Sequence, residues 1–367
     1  MRNAYKIIRA KGTFGTMDYS VEVDKISKEA WTKALVTFDD SNIYQTWSYG
    51  EIRWGRGHLS HLVIKNKETV VAMVQVTIKV LPILRRGIAY IPWGPVWRKR
   101  GGDAEHNIMT AVLKAINEEY AKKRQLLVRI APQDIIETDA WIEQTLSKEG
   151  YLFKSRPYKT IFVNLSDPMD KLLSASSRRW KRALKMADQK DLKIVCGTGD
   201  DLYEIFKTLY EEMVERKNFN PAIDINEFQL IQRDLQDEMK MKIMICYFKE
   251  KVVAALIASC MGEKGIGLLG ATGNAGMNLG GFHLLNWKMM EWMKSKGAKH
   301  YDFGGYDPIN NPGTASFKES IAGNIVNHVG VFELSKSKIS SWVVEKGEKM
   351  RSNQKYSAFF KKHIAGN

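Results

Sequence analysis

The residues Tyr301-Asp302-Phe303-Gly304-Gly305-Tyr306-Asp307-Pro308, followed by Phe317-Lys318, decide the fold of this chain and point to its chemistry. An aromatic and acidic strand runs into a glycine pair, where missing Cβ atoms permit a tight turn or the close approach of a ligand. Pro308, Pro312 and Gly313 predict an ordered loop, without helix, that leads to Phe317. We expect Lys318 at the mouth of a strand–loop–strand element, where side chains commonly meet substrate.

This stretch resembles the C-terminal signature of the Fem-type aminoacyltransferases, the family that builds interpeptide bridges in bacterial peptidoglycan. Other segments resemble family motifs in the same order along the chain. These segments are Tyr44-Gln45-Thr46-Trp47 with Arg53-Trp54, Tyr90-Ile91-Pro92-Trp93-Gly94-Pro95-Val96, and Glu215-Arg216-Lys217-Asn218-Phe219. The resemblance covers residues 40 to 333, and the block from 301 to 318 is its most specific part.

The first half of the chain departs from the family pattern. Relatives have Arg where Trp93 stands, Lys near the position of Arg53, and usually an acidic residue where this chain continues with Trp97-Arg98. The resemblance therefore implies a substrate cleft that keeps its cation and lacks one acid. Either the substrate itself assists removal of the proton from the attacking amine, or the acceptor differs from an ordinary bridge amine.

Length and composition narrow the class of protein. A chain of 367 residues predicts one large or two ordinary domains, and 44% hydrophobic with 26% charged residues is typical of a globular protein. The sequence contains no uncharged apolar run of about 18 residues and no apolar core of a signal peptide at its start, so we expect a cytoplasmic protein. Its three cysteines lack metal or redox spacing and are predicted to be reduced core residues.

The net charge of +15, from 56 basic and 41 acidic residues, favours polyanionic partners. Residues 170–193 contain eight Lys and Arg against three acids, and residues 334–367 contain eight against two. These runs predict contact with nucleic acid, with phosphate-bearing substrates, or peripherally with the anionic inner face of the plasma membrane. A solvated surface is the alternative for both runs.

Hydrophobic periodicity predicts similar orders of elements in the two halves of the chain. The first half is expected to contain strands at 58–65, 69–80 and 88–91, a helix at 103–123, a strand at 125–130 and a helix at 141–148. The second half is expected to contain helices at 200–217 and 226–239, strands at 242–248, 252–261 and 266–271, a helix at 281–296 and a strand at 299–303.

This order predicts a mixed α/β chain, and it fits two tandem N-acetyltransferase-like (GNAT-type) domains, which the Fem resemblance also implies. We expect an N-terminal domain at residues 1–160 and a C-terminal domain at 161–333. Residues 334–367 are predicted to form an amphipathic helical tail, which in the family returns to the first domain. No heptad run in the sequence is long enough for the coiled-coil arm of many relatives.

A basic segment that begins at Ser176-Ser177 supplies one group of candidate binding residues. Arg residues at helical spacing suit phosphate because the guanidinium fork is planar and bidentate. The segment predicts a helix that binds phosphate or tRNA through Arg178, Arg179, Lys181, Arg182 and Lys185, with a solvated helix at the domain seam as the alternative. The glycine-rich loop 276–281 precedes a predicted helix whose amides could bind an anion, although a plain turn is the simpler interpretation.

The resemblance makes Phe317 and Lys318 active-site residues. Acyl transfer builds negative charge on a carbonyl oxygen, which Lys318 would stabilise while Phe317 excludes water. Asp302 and Asp307 are candidates for a general base or for orienting an amine, with turn capping as the alternative for Asp307. Arg53, Arg216 and Lys318 are expected to line one groove. The full set of predicted substrate-binding residues is Arg53, Arg216, Gln45, Trp93, Tyr306 and Asp307.

Together these features predict an enzyme that transfers an amino acid, from aminoacyl-tRNA, to an amine of a peptidoglycan precursor, either lipid II or its UDP-linked form. We expect neither a cofactor nor a metal, since the seven histidines show no metal-ligand spacing. An alternative keeps the fold and predicts an acyl-CoA-dependent N-acyltransferase that acts on a sugar amine of an envelope polysaccharide. A non-catalytic RNA-binding protein is disfavoured, because that role does not require the loop that carries Phe317-Lys318.

Overall fold

The computed structural model describes residues 6–12, 15–102, 105–156, 159–218 and 223–352. Phe219 of the fourth motif and the part of the predicted tail after Ser352 lie outside the described residues. Among the described residues, no helix is both long enough and apolar enough to cross a bilayer. The described His, Cys, Asp and Glu side chains include no group that could hold a metal ion.

The described part of the chain alternates between strands and helices. The strands are β1 Lys6–Gly12, β2 Gly15–Val23, β3 Leu59–Asn66, β4 Thr69–Leu81, β5 Arg86–Pro92, β6 Leu127–Ala131, β7 Leu152–Ser155, β8 Lys159–Asn164, β9 Lys193–Gly197, β10 Lys242–Phe248, β11 Lys251–Met261, β12 Lys264–Thr272, β13 His300–Gly305, β14 Asn324–Asn327 and β15 Val331–Leu334. The α-helices are α1 Lys28–Leu35, α2 Trp47–Trp54, α3 His106–Ile116, α4 Ile136–Lys148, α5 Met169–Ala175, α6 Arg178–Gln189, α7 Asp200–Lys217, α8 Ile225–Asp234, α9 Gly281–Ser295, α10 Pro312–Glu319 and α11 Lys338–Ser352.

The strands form two mixed sheets. The first has the order β1-β2-β3-β4-β5-β6-β15-β7, and the second has the order β14-β8-β13-β12-β11-β10-β9. Each sheet contains one parallel pair, β5 with β6 and β12 with β13, and a helix (α3 or α9) connects the two strands of the pair. This arrangement confirms the predicted mixed α/β fold with two GNAT-type units. The predicted domain limits at residues 160 and 333 stay a prediction.

The chain crosses between the two halves more than once. β15 inserts between β6 and β7 of the first sheet, and α11 follows it and packs against β5. A continuous apolar core also joins the halves, because Trp31 and Phe38 of the first half pack in one cluster with Phe206 and Ile257 of the second. The two sheets are therefore held together by buried side chains as well as by the polypeptide connections.

The segment before Phe317 corrects one expectation from the sequence. We predicted a loop without helix up to Phe317, but α10 begins at Pro312. Proline is favoured at the first turn of a helix, and the Asn311 side chain caps this helix by accepting a hydrogen bond from the Thr314 amide at 3.4 Å. Phe317 and Lys318 thus project from a short helix beside β13.

Gln45 occupies a structural position, although the sequence predicted that it binds substrate. Its side chain is fully buried. The Nε2 atom donates to the Pro92 carbonyl at 2.8 Å, and the Oε1 atom accepts from the Gln75 amide at 2.9 Å. Both hydrogen-bonding ends of the amide are therefore occupied by the backbone of β4 and β5, which is a structural role that the sequence did not predict.

We expect Gln45→Ala to destabilise the fold by about 2 kcal/mol or more, because it leaves the Pro92 carbonyl and the Gln75 amide buried without partners. Urea unfolding of the wild type and of Gln45→Ala would measure the shift in the midpoint of unfolding. Gln236→Ala is the matched control, since Gln236 is exposed and its side chain caps no helix. Equal midpoints for all three proteins would contradict the structural role of Gln45.

Candidate active site

A cleft of about 1290 Å³ opens in the second sheet where β12 and β13 part. Their parallel pairing covers Lys264–Ile266 against His300–Asp302, and beyond it residues 267–272 of β12 line the cleft. The corresponding pair in the first sheet stays closed, since β5 and β6 pair from Ile88 to Pro92. The second half of the chain therefore offers an open backbone edge where the first half does not.

The charges around this cleft have one sign. Among the described residues that line it there is no Asp or Glu. The lining cations are Arg178, Arg179, Arg182, Lys217 and Lys318. An undivided positive field of this kind attracts anionic ligands such as phosphates. The structure thus brings three of the five predicted phosphate-binding residues of α6 to the cleft.

The other two residues of the basic helix lie differently. Lys181 donates from Nζ to the Ser174 carbonyl at 2.6 Å, and Lys185 is exposed outside the described lining. Arg179 in contrast donates to the Ser316 hydroxyl at 3.0 Å, so it connects α6 to α10. One face of α6 therefore points into the cleft, and its cations lie near the helix that carries Phe317 and Lys318.

The N-terminus of α9 also opens into the cleft. Gly280 has φ +78°, a conformation that favours glycine, and no side chain caps the first turn that starts at Gly281. Gly276, Gly280, Gly281 and Phe282 all line the cleft. A helix N-terminus with free amides carries partial positive charge and binds anions readily. The glycine-rich loop 276–281 is therefore placed where an anion would be held together with the arginines of α6.

Lys318 is fixed by the backbone of β13. Its Nζ atom donates to the carbonyls of Gly304 at 2.9 Å and Gly305 at 2.8 Å. Gly304 has φ +72°, in the left-handed region that glycine adopts without strain. Burial lowers the pKa of Lys318 to about 8, although the nearby Asp302 carboxylate acts in the opposite direction. At neutral pH the amine is still mainly protonated and has one N–H left over.

Asp302 lies behind the wall of the cleft. It is buried, accepts a hydrogen bond from the Thr160 hydroxyl, and accepts another from the Gly304 amide at 2.7 Å. Burial raises the pKa of Asp302, while the bond from Thr160 and the charge of Lys264 act against that rise. Asp302 is not among the residues that line the cleft, so in this geometry it positions Gly304 and does not contact a ligand there.

Phe317 belongs to an aromatic cluster at the floor of the cleft. Its ring lies 5.4 Å from the ring of Trp180, 5.1 Å from Phe282 and 4.9 Å from His283, measured between centroids. Burial lowers the pKa of His283 to about 4, and the nearby Arg179 adds to this effect. The imidazole is therefore neutral at pH 7. The sequence did not identify His283, because a single histidine in a helix carries no motif.

The structure does not bring Arg53 and Arg216 to Lys318. Arg53 forms an ion pair with Glu227 and lines a separate shallow pocket of about 540 Å³. Arg216 donates to the Asn274 side chain at 2.8 Å and to the Thr272 carbonyl at 2.7 Å, so it braces the end of β12. The expectation of one groove lined by all three cations is therefore not met. Arg53 lines a separate pocket, and Arg216 is not among the described lining residues of the cleft, although it contacts Thr272 at its edge.

Trp93, Tyr306 and Asp307 are not among the described residues that line the cleft. Trp93 stacks on Tyr44 at 5.1 Å and borders a cavity of about 20 Å³ that Asp302 and Lys264 also line. Tyr306 donates to the Glu319 carboxylate.

Asp307 is exposed and caps a turn. Its carboxylate accepts from the amides of Ile309 at 3.1 Å and Asn310 at 2.9 Å. The hydrogen bonds from Asn310, supported by that from Ile309, lower the pKa of Asp307. The turn-capping interpretation of Asp307 therefore fits the structure, and the carboxylate is directed at its own loop.

Asn286 and Lys264 are two polar residues of this region that were not anticipated. Asn286 accepts a hydrogen bond from the Tyr301 hydroxyl at 3.0 Å, and Asn286 and Tyr301 both line the cleft. Lys264 donates to the Gln133 carbonyl at 3.3 Å. Burial lowers the pKa of Lys264, although the negative charge of Asp302 acts in the opposite direction. No local sequence pattern marks either residue, because their importance comes from strands and helices that meet only in the fold.

Comparison with known proteins agrees with this architecture. Residues 172–319 match the family model described as an acetyltransferase (GNAT) domain, a range that contains the cleft and the Phe317-Lys318 pair. This match confirms the prediction of an acyltransferase. No curated protein matches the sequence.

Several solved structures share the fold. The crystal structure of FemX is 17% identical, with 88% of this chain and 100% of that chain covered at a TM-score of 0.74. A conserved protein of unknown function from Bacteroides thetaiotaomicron VPI-5482 is 11% identical, with 85% and 98% covered at a TM-score of 0.56. The C-terminal domain of a putative lysylphosphatidylglycerol synthetase from Agrobacterium fabrum is 10% identical, with 86% and 95% covered at a TM-score of 0.55.

At these identities the likeness concerns the fold, and it covers almost the whole length of each neighbour. The resemblance to the Fem-type family that the motifs suggested is thus confirmed at the level of three-dimensional structure. Residues 172–319 thus match an acetyltransferase (GNAT) domain, and the chain as a whole shares its two-unit fold with FemX.

Proposed function

We propose that this protein transfers an aminoacyl group from aminoacyl-tRNA to an amine of a peptidoglycan precursor, either lipid II or its UDP-linked form. The observation that carries this proposal is the all-cationic cleft, which ends at an amine, Lys318, held on the backbone of β13. A donor with several phosphates and a reactive carbonyl fits this distribution of charge. The reaction takes place on the cytoplasmic side of the membrane, where both substrates are found.

The donor lies with its phosphates on the basic face of α6 and its acyl group toward Lys318. Arg178 and Arg182 are exposed cations on the rim of the cleft, where a polynucleotide backbone can pass without entering it. The amides at the start of α9 hold a further anionic group at the base of the same wall. A net charge of +15 attracts a tRNA over a distance that a small donor would not require.

In the reaction, the acceptor amine attacks the carbonyl carbon of the aminoacyl ester and a C–N bond forms. Negative charge develops on the carbonyl oxygen, and the remaining N–H of Lys318 stabilises it. The bond to the ribose oxygen then breaks, and the proton of the attacking amine passes to that oxygen, which leaves as a hydroxyl. Phe317 and the aromatic cluster around it keep water away from the ester.

The names of two structural neighbours support this assignment. FemX bears the name of the family to which the motifs point. The putative lysylphosphatidylglycerol synthetase is named for an aminoacylated lipid, and it shares the same fold. Each name describes that neighbour and not this chain. An aminoacyl donor is favoured because the chemistry suggested by those names fits the positive charge of the cleft.

A second candidate function rests on the start of α9. In this candidate, an acyl-CoA places its pyrophosphate on the uncapped amides after Gly280, and the acyl group goes to a sugar amine of an envelope polysaccharide. The match of residues 172–319 to an acetyltransferase domain favours this alternative. Binding of acyl-CoA requires contact with fewer of the arginines of α6 than binding of a tRNA does.

One experiment separates the two candidates. The purified protein is incubated with lipid II or UDP-linked precursor, and with either a mixture of charged tRNAs or acetyl-CoA, and the products are analysed by mass spectrometry. We expect the mass of one amino acid to be added in the tRNA arm, abolished by ribonuclease. Acetylation in the second arm with no product in the first would overturn the proposal in favour of acyl-CoA.

Lys318→Met should lower kcat on the order of 100-fold and leave KM nearly unchanged, the scale of removing one donor to the developing oxyanion. Lys318→Arg should restore only part of the rate, since the bulkier guanidinium cannot place its charge between the Gly304 and Gly305 carbonyls in the same way. Steady-state kinetics on both variants, with folding checked by circular dichroism, makes the measurement. A raised KM with normal kcat would show that Lys318 only attracts the anionic donor.

The role of Lys318 as a donor to the oxyanion also predicts how kcat depends on pH. Because the protonated form of Lys318 stabilises the oxyanion, kcat should fall as the pH rises through about 8, the pKa to which burial lowers this amine. In Lys318→Arg the descending limb should disappear from this range, since a guanidinium stays protonated. The pH–rate profile of kcat for the two proteins tests this, and a rate that rises through pH 8 in the wild type would instead indicate a general base.

Charge reversal on the cleft face of α6 should weaken the binding of charged tRNA at least roughly tenfold in Arg178→Glu/Arg182→Glu. The slope of log affinity against log salt should also become shallower by about two, one for each lost phosphate contact. Lys181→Glu/Lys185→Glu is the matched control on the same helix, because neither lysine is among the cleft lining. An equal loss in both variants would assign the effect to general charge.

A further inference from the structure

The hairpin that joins β4 to β5 exposes an apolar tip. The strands pair as far as Leu81 with Arg86, and the turn is closed by a backbone hydrogen bond from the Arg85 amide to the Leu81 carbonyl at 2.8 Å. Ile83 lies within this turn and its side chain is 96% exposed, so the described part of the chain covers almost none of it. The other exposed apolar side chains of the tip are Val80, Leu81 and Leu84. A convex, ordered turn of this kind leaves its apolar side chains to solvent.

A second exposed apolar pair lies on the adjoining helix. Ser340 at the start of α11 accepts a hydrogen bond from the Gly87 amide at 3.3 Å, which fixes the helix against the base of the hairpin. Ile339 and Trp342, three residues apart on α11, are 53% and 55% exposed. Tryptophan and aliphatic side chains in such positions prefer the boundary between lipid headgroups and acyl chains.

Cations surround these apolar side chains. Arg85, Lys336 and Lys338 are exposed, and the sequence from Thr69 to Gly102 contains no acidic residue. The two described acids of α11 are already paired, Glu348 with Arg129 at 2.6 Å and Glu345 with Lys349 at 2.6 Å. The hairpin tip and the start of α11 thus combine exposed apolar groups with uncompensated positive charge.

We propose that this surface, the hairpin tip with the start of α11, docks the protein on an anionic lipid bilayer. Apolar side chains that protrude from a convex turn need no matching pocket in a bilayer, whereas a protein partner would have to supply a groove for them. The flanking cations match the negative surface of a membrane rich in anionic lipid. β5 separates the tip from Trp93 by about 20 Å of strand, so docking at the tip does not cover the seam between the two halves.

The test uses the full-length chain and vesicles of phosphatidylcholine with or without phosphatidylglycerol, which contain neither donor nor acceptor. Its outcome is therefore separate from that of the proposed reaction. We expect sedimentation with the anionic vesicles, weakened by salt, and a roughly tenfold or greater loss of partitioning in Ile83→Ser/Leu84→Ser. Arg85→Ser/Lys338→Ser should lose the preference for phosphatidylglycerol.

Two controls define the surface. Leu230→Ser removes a side chain of α8 that is 49% exposed, and it should bind vesicles like the wild type. Arg178→Glu/Arg182→Glu should do the same, because those cations belong to the cleft. Absence of wild-type binding, or equal binding by Ile83→Ser/Leu84→Ser, would overturn the proposal. So would a change of oligomeric state in that variant by size-exclusion chromatography, since the tip would then be a contact between copies of the chain.

Discussion

The buried carboxylate of Asp302 is the group on which the geometry of the active site depends. A carboxylate without water must be satisfied by hydrogen bonds, and here Thr160 of β8 and the amide of Gly304 supply them. The bond to Gly304 holds the left-handed turn of β13, whose carbonyls in turn fix the amine of Lys318. The position of Lys318 is therefore set by two strands of the second sheet as well as by its own short helix.

The two halves of the chain share a plan, but the sheet opens in one of them. In the first half the segment after β5 folds back on β4, where Met73 and Val96 exchange backbone hydrogen bonds of 2.8 and 2.9 Å. Arg98 then pairs with Asp134 and Asp139, so the charges of that region satisfy one another. In the second half β12 and β13 part, and the cations that line the resulting cleft form no ion pair with an acid in the part of the chain that the structure describes. The open, positively charged cleft is therefore a feature of the second half of the chain, whereas the first half keeps the corresponding strands paired.

The sequence predicted the parts of this arrangement that depend on local pattern. The helix at Asp200–Lys217 and the strand at Lys242–Phe248 lie where periodicity placed them, and Lys318 lies in the cleft. The contacts of Gln45 and Arg53 could not be predicted because a motif names a residue without its partners, and those partners are backbone groups and Glu227 from distant segments. The return of β15 to the first sheet has no local signal, since pairing between strands far apart in the chain is decided by the whole fold.

The absence of a carboxylate from the described cleft lining constrains how the attacking amine loses its proton. Lys318 must keep its own proton to stabilise the oxyanion, and His283, with its pKa lowered to about 4, is a weak base. The remaining acceptor is the leaving group of the donor. A ribose oxygen that departs from an ester is strongly basic and takes the proton as it leaves, whereas a thiolate, whose thiol has a pKa near about 8.5, is a much weaker base. A cleft with cations and no acid of its own thus suits an aminoacyl ester better than a thioester.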